Sequence, residues 1–348
     1  MFVRLAALAA LALPLLMPQP ARAQAKELLL FNWSNYTSPA LLKRFEAETG
    51  IKVTLDTYDT NEGMLAKLQA GGAGYDIVVP TGPTLKGMIR DGLVQKIDTT
   101  SLPNGKNIRA PFDNPDFDPG RAYSAPYMWG TTGIAYDPAP LNGGKLTDSW
   151  KEILEPRPEY AGKLAMLADM GEVYYAAAFY LGFDGCTDKA EEGQKILDLL
   201  TKQKPQVKLY SASGTIDRMA SGETLMHHMW NGSYHRAQVK KPGLLYIYPR
   251  EGVNLWGDNF AVAKGAPHLE SAKAFINFML DPKNAAEASN YTGYNNAVTG
   301  SDQYLNDSLR NDPAVNMPAD MVSRLRPTRE CSRASLDLRE KIWNRLQR

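Results

Sequence analysis

The chain predicts an α/β fold, on two observations. From residue 28 onward, apolar runs of strand length alternate with amphipathic segments of helical period, and a second such set follows after residue 130. About 325 residues remain once a leader is set aside, enough for two cores.

The leader is read first. Arg4 precedes an apolar run from Leu5 to Met17, followed by Pro18-Gln19-Pro20-Ala21-Arg22-Ala23. A charged start, an apolar stretch too short to span a bilayer and an A-x-A site predict an export signal cleaved after Ala23, or after Ala25 if Ala-Gln-Ala is used. The mature chain is expected to be soluble and periplasmic. Loss of Arg4 and Arg22 moves its formal charge from +1 to −1. There is no Lys/Arg block to make a nucleic-acid surface.

In the first set, Leu28–Asn32 reads as a strand. Pro39–Thr49 reads as a helix, with Leu41, Leu42 and Phe45 on one face and Gly50 as its stop. Ile51–Tyr58 alternates as a strand, Thr60–Ala70 is helical, and Asp76–Val79 is a short buried strand ended by Pro80. This β-α-β-α-β order predicts a mainly parallel sheet with ligands at the carboxyl ends of its strands. Trp33 and Tyr36 lie just beyond the first such end and Thr81 just beyond the third. Residues 104–123, rich in Pro, Asp and Asn, read as irregular.

Strand-like sequence resumes at Thr132–Tyr136. The second set follows: strand 163–168, helices 172–181 and 188–203, strand 206–210, helix 214–221, strand 224–230 and a short helix from Ser233. Residues 258–263 read as a strand, 269–280 and 282–289 as helices, with further helices near 318–324 and 335–346. Gly130 and Gly257 lie where one set gives way to the other and are candidates for hinges or for ordinary turns. Cys186 and Cys331 are 145 positions apart. An oxidising compartment permits a bridge, but spacing alone does not show proximity.

Trp256-Gly257-Asp258 is the most informative stretch. Alternation in an extended segment puts Trp256 and Asp258 on one face. An indole face beside a carboxylate suits a desolvated organic ammonium group, held by the ring quadrupole and a charge-assisted hydrogen bond. The same residues fit a core indole near a surface carboxylate. Asp169 and Glu172 likewise fit a capping box at a helix start or a pair of cation anchors.

FNWSNYTSPALLKRFEAETGIKVTLDTYDTNEGMLAKL (31–68), YDIVVPTG (75–82), PYMWGTTGIAYD (126–137), EVYYAA (172–177), MWNGSY (229–234) and GVNLWGDNFAVA (252–263), in this order, resemble the periplasmic spermidine/putrescine-binding proteins of ABC transporters. The resemblance runs from about residue 27 to the C-terminal helix. It implies a two-lobed periplasmic-binding-protein clamshell with discontinuous lobes around mainly parallel mixed sheets and a ligand cleft between them. The expected division is 26–130 with 258–300, and 131–257 with 301–348. It further implies no enzymatic activity, no cofactor and no metal, a polyamine ligand, a membrane permease as partner and a monomeric state.

Carried over by position, the resemblance implies an aromatic box of Trp33, Tyr36, Trp230, Trp256 and Tyr294, with acidic anchors Asp169, Glu172 and Asp258. It implies polar contacts from Ser34 and Thr81, with Ser211 or Ser213 as a further hydroxyl. This chain departs from the pattern at several places. Pro83 stands where many relatives carry an aromatic residue, Asn35 where close relatives carry an acid, and Ser233 where putrescine-preferring relatives carry Asp. Arg329 aligns near a glutamine of spermidine binders; a guanidinium in the cleft would repel a polyamine or bind a ligand carboxylate, while the basic run around it also fits a solvated surface.

Three other readings compete. Tyr174-Tyr175, with His227, His228 and His235, could suggest iron capture, but neighbouring helical tyrosines diverge by about 100° and adjacent strand histidines face opposite sides. An exported enzyme would show a motif such as G-x-S-x-G or H-E-x-x-H, and none occurs. A clamshell that binds another amine, or that reports to a membrane sensor, has the same sequence signature.

Overall fold

The computed structural model describes residues 26–70, 74–141 and 144–348; the expected leader, 1–23, lies outside them. Its strands are β1 (Glu27–Trp33), β2 (Lys52–Tyr58), β3 (Ile77–Val78), β4 (Val94–Gln95), β5 (Ser124–Tyr136), β6 (Leu164–Met166), β7 (Val207–Tyr210), β8 (Met226–Trp230), β9 (Leu245–Ile247), β10 (Val253–Ala263), β11 (Asn295–Asn296) and β12 (Leu325–Pro327). The principal hydrogen-bonded order is β2-β1-β3-β10-β5-β8-β6-β7. β1 runs parallel to β2 and β3, and β6 runs parallel to β7 and β8. Between these parallel ends, β10 and β5 pair antiparallel with each other and with their outer neighbours β3 and β8.

Each end of this path has its own core. On β1, Leu28 and Leu30 pack on one face with Leu41, Phe45, Phe260 and Phe275. Phe31 faces the other side with Met64, Val78 and Leu85. That alternation follows from the period of the strand, and burial on both faces explains its apolar sequence. At the other end Ile134, Trp150, Leu164, Val173, Ile196 and Ile342 form one core, and Ala135, Met219, Met229 and Tyr234 pack on the opposite face. The result is the expected two-lobed α/β clamshell.

Local signals set the helices. Pro39–Thr49 is capped by Ser38, whose side chain accepts from the Leu41 amide, and closed by Gly50 at φ 69°, the left-handed geometry glycine accepts at no steric cost. The helix expected from 172 begins two residues earlier, as Met170–Tyr180, because Asp169 is its N-cap and accepts from the Glu172 amide at 2.9 Å. The segment at 318–324 is a 3-10 turn, Ala319–Arg324.

One reading is corrected. β5 and β10 begin well before 132 and 258, so Gly130 and Gly257 lie inside long strands, not in turns. They sit opposite Trp256 and Trp129 respectively, with a register shift between Gly257 and Asn259. A Cβ on Gly130 would stand 2.5 Å from Asn231 Oδ1 and 2.8 Å from the Trp256 ring, so the glycine makes room for both side chains. The helix Gly82–Arg90 is hidden in the sequence by one proline, two glycines and basic residues, although Pro at its first turn is favourable and Leu85 and Met88 are buried. Cys186 and Cys331 are bonded, with Cα atoms 5.1 Å apart.

Candidate functional site

A cavity of about 530 Å³ opens between the lobes. Its walls include Trp33, Ser34, Asn35, Tyr36, Thr81, Asp169, Glu172, Trp230, Trp256, Asp258, Tyr294 and Arg329. Of the proposed positions only Ser211 is not on the wall. Its hydroxyl donates to the Ser213 carbonyl at 2.9 Å, and residues 212–215 of that loop line the cavity in its place.

β10 builds the central wall. Asn254, Trp256 and Asp258 alternate toward the cavity. Trp256 is buried, donates its Nε1 hydrogen to Thr132 Oγ1 at 3.2 Å, and meets Tyr294 edge-on at 5.1 Å. Tyr36 meets the same Tyr294 ring edge-on at 5.5 Å and donates its hydroxyl to Asp258 Oδ2 at 2.8 Å. Asp258 is 5% exposed. Its second oxygen, Oδ1, is buried without a hydrogen-bond partner. Burial pushes this carboxyl up to about 7, partly offset by the Tyr36 hydrogen bond. An unpaired acceptor among three aromatic rings is chemically suited to a cationic donor.

The second acidic pole comes from the opposite lobe. Asp169 spends one oxygen on its helix cap, and Glu172 turns inward from the first helical turn. The Trp230 indole donates to Glu172 Oε1 at 3.4 Å, and Asn254 Nδ2 contacts both carboxylate oxygens at 3.2 and 3.1 Å. Burial, then the neighbouring Asp169, raises Glu172 to about 8. Burial also raises Asp169. Across from this pole, Trp33 donates to the Val79 carbonyl at 2.8 Å and packs at 4.8 Å against Tyr58.

The family described as bacterial extracellular solute-binding protein matches residues 40–319. This chain belongs to that family. It is 33% identical over 334 residues to the putrescine/agmatine-binding protein of Pseudomonas aeruginosa, covering 91% of each chain. It is 34% identical over 318 residues to the spermidine/putrescine-binding periplasmic protein of Salmonella typhimurium, covering 91% of this chain and 90% of that one. Among solved structures, it is similar to the spermidine/putrescine ABC transporter substrate-binding protein PotD of Streptococcus pneumoniae, with TM-score 0.76, 28% identity, and 92% and 98% coverage. A chain from Listeria monocytogenes superposes with TM-score 0.86 at 28% identity, covering 92% of this chain and 99% of that one.

The solute-binding protein also carries site residues that sequence reasoning missed. Asn254 holds Glu172, and Thr328 orients Asn254 by donating to its Oδ1 at 2.8 Å. Asn254 could have been found by counting two residues back from Trp256 on the same strand face. Thr328 could not, because it reaches the wall through the pairing of β12 with β10. Glu62, on the helix Asn61–Gln69, also lines the cavity.

Two of the departures, Arg329 and Ser233, have partners in the structure. Arg329 Nη2 lies 2.5 Å from both oxygens of Asp184, which neutralises the guanidinium at the exposed edge. Ser233 shares a hydrogen bond of 3.0 Å with the Tyr294 hydroxyl. The Tyr174-Tyr175 pair has a packing role: both rings lie against the Arg339 guanidinium, at 4.9 and 4.7 Å. His227 and His228 are fully buried and held neutral by burial. Among the described residues no group of three or more His, Cys, Asp or Glu is arranged to hold a metal ion, and no helix is long and apolar enough to cross a membrane.

Proposed function

We propose that this protein is a periplasmic receptor that encloses an aliphatic polyamine, of the spermidine or putrescine type, and delivers it to the permease of an ABC transporter. The observation that carries the reading is the orphaned Asp258 Oδ1, buried beside Tyr36, Trp256 and Tyr294. A primary ammonium group donates to that oxygen, and its methylenes lie on the rings. Each cation–ring contact contributes about 0.5–2 kcal/mol, depending on desolvation. The acidic pole at Asp169 and Glu172 takes a further ammonium of the same molecule. The names borne by relatives more than 30% identical over most of their length support the same class of ligand.

The remaining parts of the reading follow from it. Residues 1–23 direct export. The receptor works as a monomer without a cofactor and carries no catalytic activity. Its lobes divide near Gly130 and Gly257, where β5 and β10 cross from one core to the other, and closure bends these strands.

Calorimetric titration with a panel of diamines, triamines and amino-acid-like amines tests the proposal. Saturable binding of an aliphatic polyamine, with a rise in melting temperature, is expected. No heat and no thermal shift with any amine at about 1 mM, a concentration at which even a weak Kd is visible, would reject it.

A further inference from the structure

At the exposed edge of the cleft, where Glu330 and Arg90 border the same cavity as the aromatic residues, one carboxylate joins the two lobes. Glu330 Oε1 lies 2.9 Å from Arg90 Nη1, and its Oε2 lies 3.3 Å from Lys86 Nζ. Lys86 and Arg90 are four residues apart on the helix Gly82–Arg90, so they share one face and form a two-pronged basic receiver. That helix packs on the first lobe through Leu85 and Met88. Arg90 is fixed by its neighbour Asp91, whose Oδ1 accepts from Nε at 3.0 Å.

Glu330 belongs to the other lobe, and its backbone is anchored there on both sides. Arg329 is clamped to Asp184, and Cys331 is bonded to Cys186. The acid is therefore presented from a stiff segment, not from a loose tail. A second tie crosses the same gap: Arg236 Nη1 donates to the Asn35 carbonyl at 3.1 Å, with its guanidinium over the Tyr291 ring at 5.2 Å.

We propose that Glu330 is the latch of the closed receptor: by bridging Lys86 and Arg90 it sets how long a bound solute is held, without touching that solute. The three side chains are partly exposed, at 33, 43 and 66% for Glu330, Lys86 and Arg90. Exposed pairs contribute little to folding. These contacts, however, join groups on separate lobes and are lost whenever the cleft opens, so their whole effect falls on the opening step and hence on koff. The same positions separate latching from direct ligand contact. A cation-binding acid at 330 would be harmed by any basic replacement, whereas a latch is restored when both partners change sign.

The inference rests on the receptor reading above, and its test uses stopped-flow tryptophan fluorescence on the full mature chain with spermidine and putrescine. Glu330→Lys is expected to raise koff about 10-fold at about 20 mM salt, equally for both amines and with kon little changed, and the effect shrinks at about 0.5 M salt. Adding Lys86→Glu and Arg90→Glu to Glu330→Lys is expected to return koff to near its original value. An unchanged koff in the single variant, or a triple variant that keeps the wild-type melting temperature but not the slow koff, overturns the latch. If the unaltered protein binds no amine, the receptor's ligand assignment fails separately. The latch is then read from small-angle scattering of the ligand-free protein, where Glu330→Lys should give a larger radius of gyration than the unaltered and triple-variant chains; equal radii overturn it.

Discussion

Asp258 is the residue on which the site turns. A buried carboxylate with one oxygen on Tyr36 and the other unpaired has given up hydration without full compensation. Under the proposed function, a ligand ammonium supplies the missing donor. Asp258→Asn keeps the size but offers a neutral amide, and it is expected to weaken polyamine binding by more than about 10-fold, or about 1.4 kcal/mol, in calorimetry. Unaltered affinity in that variant would remove Asp258 from the site.

Its titration gives a second test at the same scale. The carboxyls of Asp258 and Glu172 rise from ordinary values of 3.8 and 4.5 to about 7 and about 8. The folded, ligand-free protein therefore holds protons that the unfolded chain has released across this window. Its stability contribution from these groups is greatest below pH about 4 and falls as pH rises toward 8. A cationic ligand needs both groups ionised, so binding near neutral pH releases protons. Affinity should increase from pH 6 to 8, with calorimetric heats that depend on the ionisation enthalpy of the buffer. A flat affinity profile with buffer-independent heats would contradict the burial argument.

At the scale of the element, the helix Met170–Tyr180 starts at the cavity wall. Asp169 caps it and borders the cavity at once, so the observed cap and the proposed anchor fall on the same side chain. The functions are separable by substitution. Asparagine caps nearly as well as aspartate, whereas alanine does not. Asp169→Asn should leave thermal stability almost unchanged and lower polyamine affinity. Asp169→Ala should lower affinity and also cost about 1 kcal/mol of stability in chemical denaturation. If Asn and Ala lose stability equally, the cap is not what holds this helix start.

The crossing strands show what element-level sequence reading could and could not reach. The alternation of VNLWGDNFAVA placed Trp256 and Asp258 on one face, and both line the same cavity. The glycines in PYMWGTTGIAYD and NLWGDN obscured the strand starts. In isolation they signal turns, but here the Cβ-free position at 130 makes room for an indole from the partner strand. Similarly, one proline and two glycines hid the helix Gly82–Arg90, whose formation depends on burial of Leu85 and Met88 against the sheet.

For the whole molecule, the Cys186–Cys331 bond fastens the C-terminal segment to the second lobe across 145 positions. That segment carries Thr328, Arg329 and Glu330, so one covalent link serves both stability and the wall of the cleft. Replacing both cysteines with serine should lower the unfolding transition, with a loss of about 2–4 kcal/mol for a constraint of this length. Thermal unfolding of the oxidised protein against the Cys186→Ser, Cys331→Ser variant checks this; coincident transitions would show that the segment is held by noncovalent packing alone.

Order and period along the chain determined the α/β class, the two successive sets of elements and the shared face of Trp256 and Asp258, and the resemblance implied the other aromatic and acidic residues of the cleft. These follow from local rules: alternation in strands, capping and helical periodicity, read with a resemblance that spans the mature chain. Tertiary structure decided what depends on partners distant in sequence. It joined Cys186 to Cys331, paired Arg329 with Asp184, set Asn254 against Glu172, and turned Ser211 away while presenting Ser213. It also left one oxygen of Asp258 without a donor, because only the packed lobes remove water from a carboxylate that the sequence shows merely as acidic.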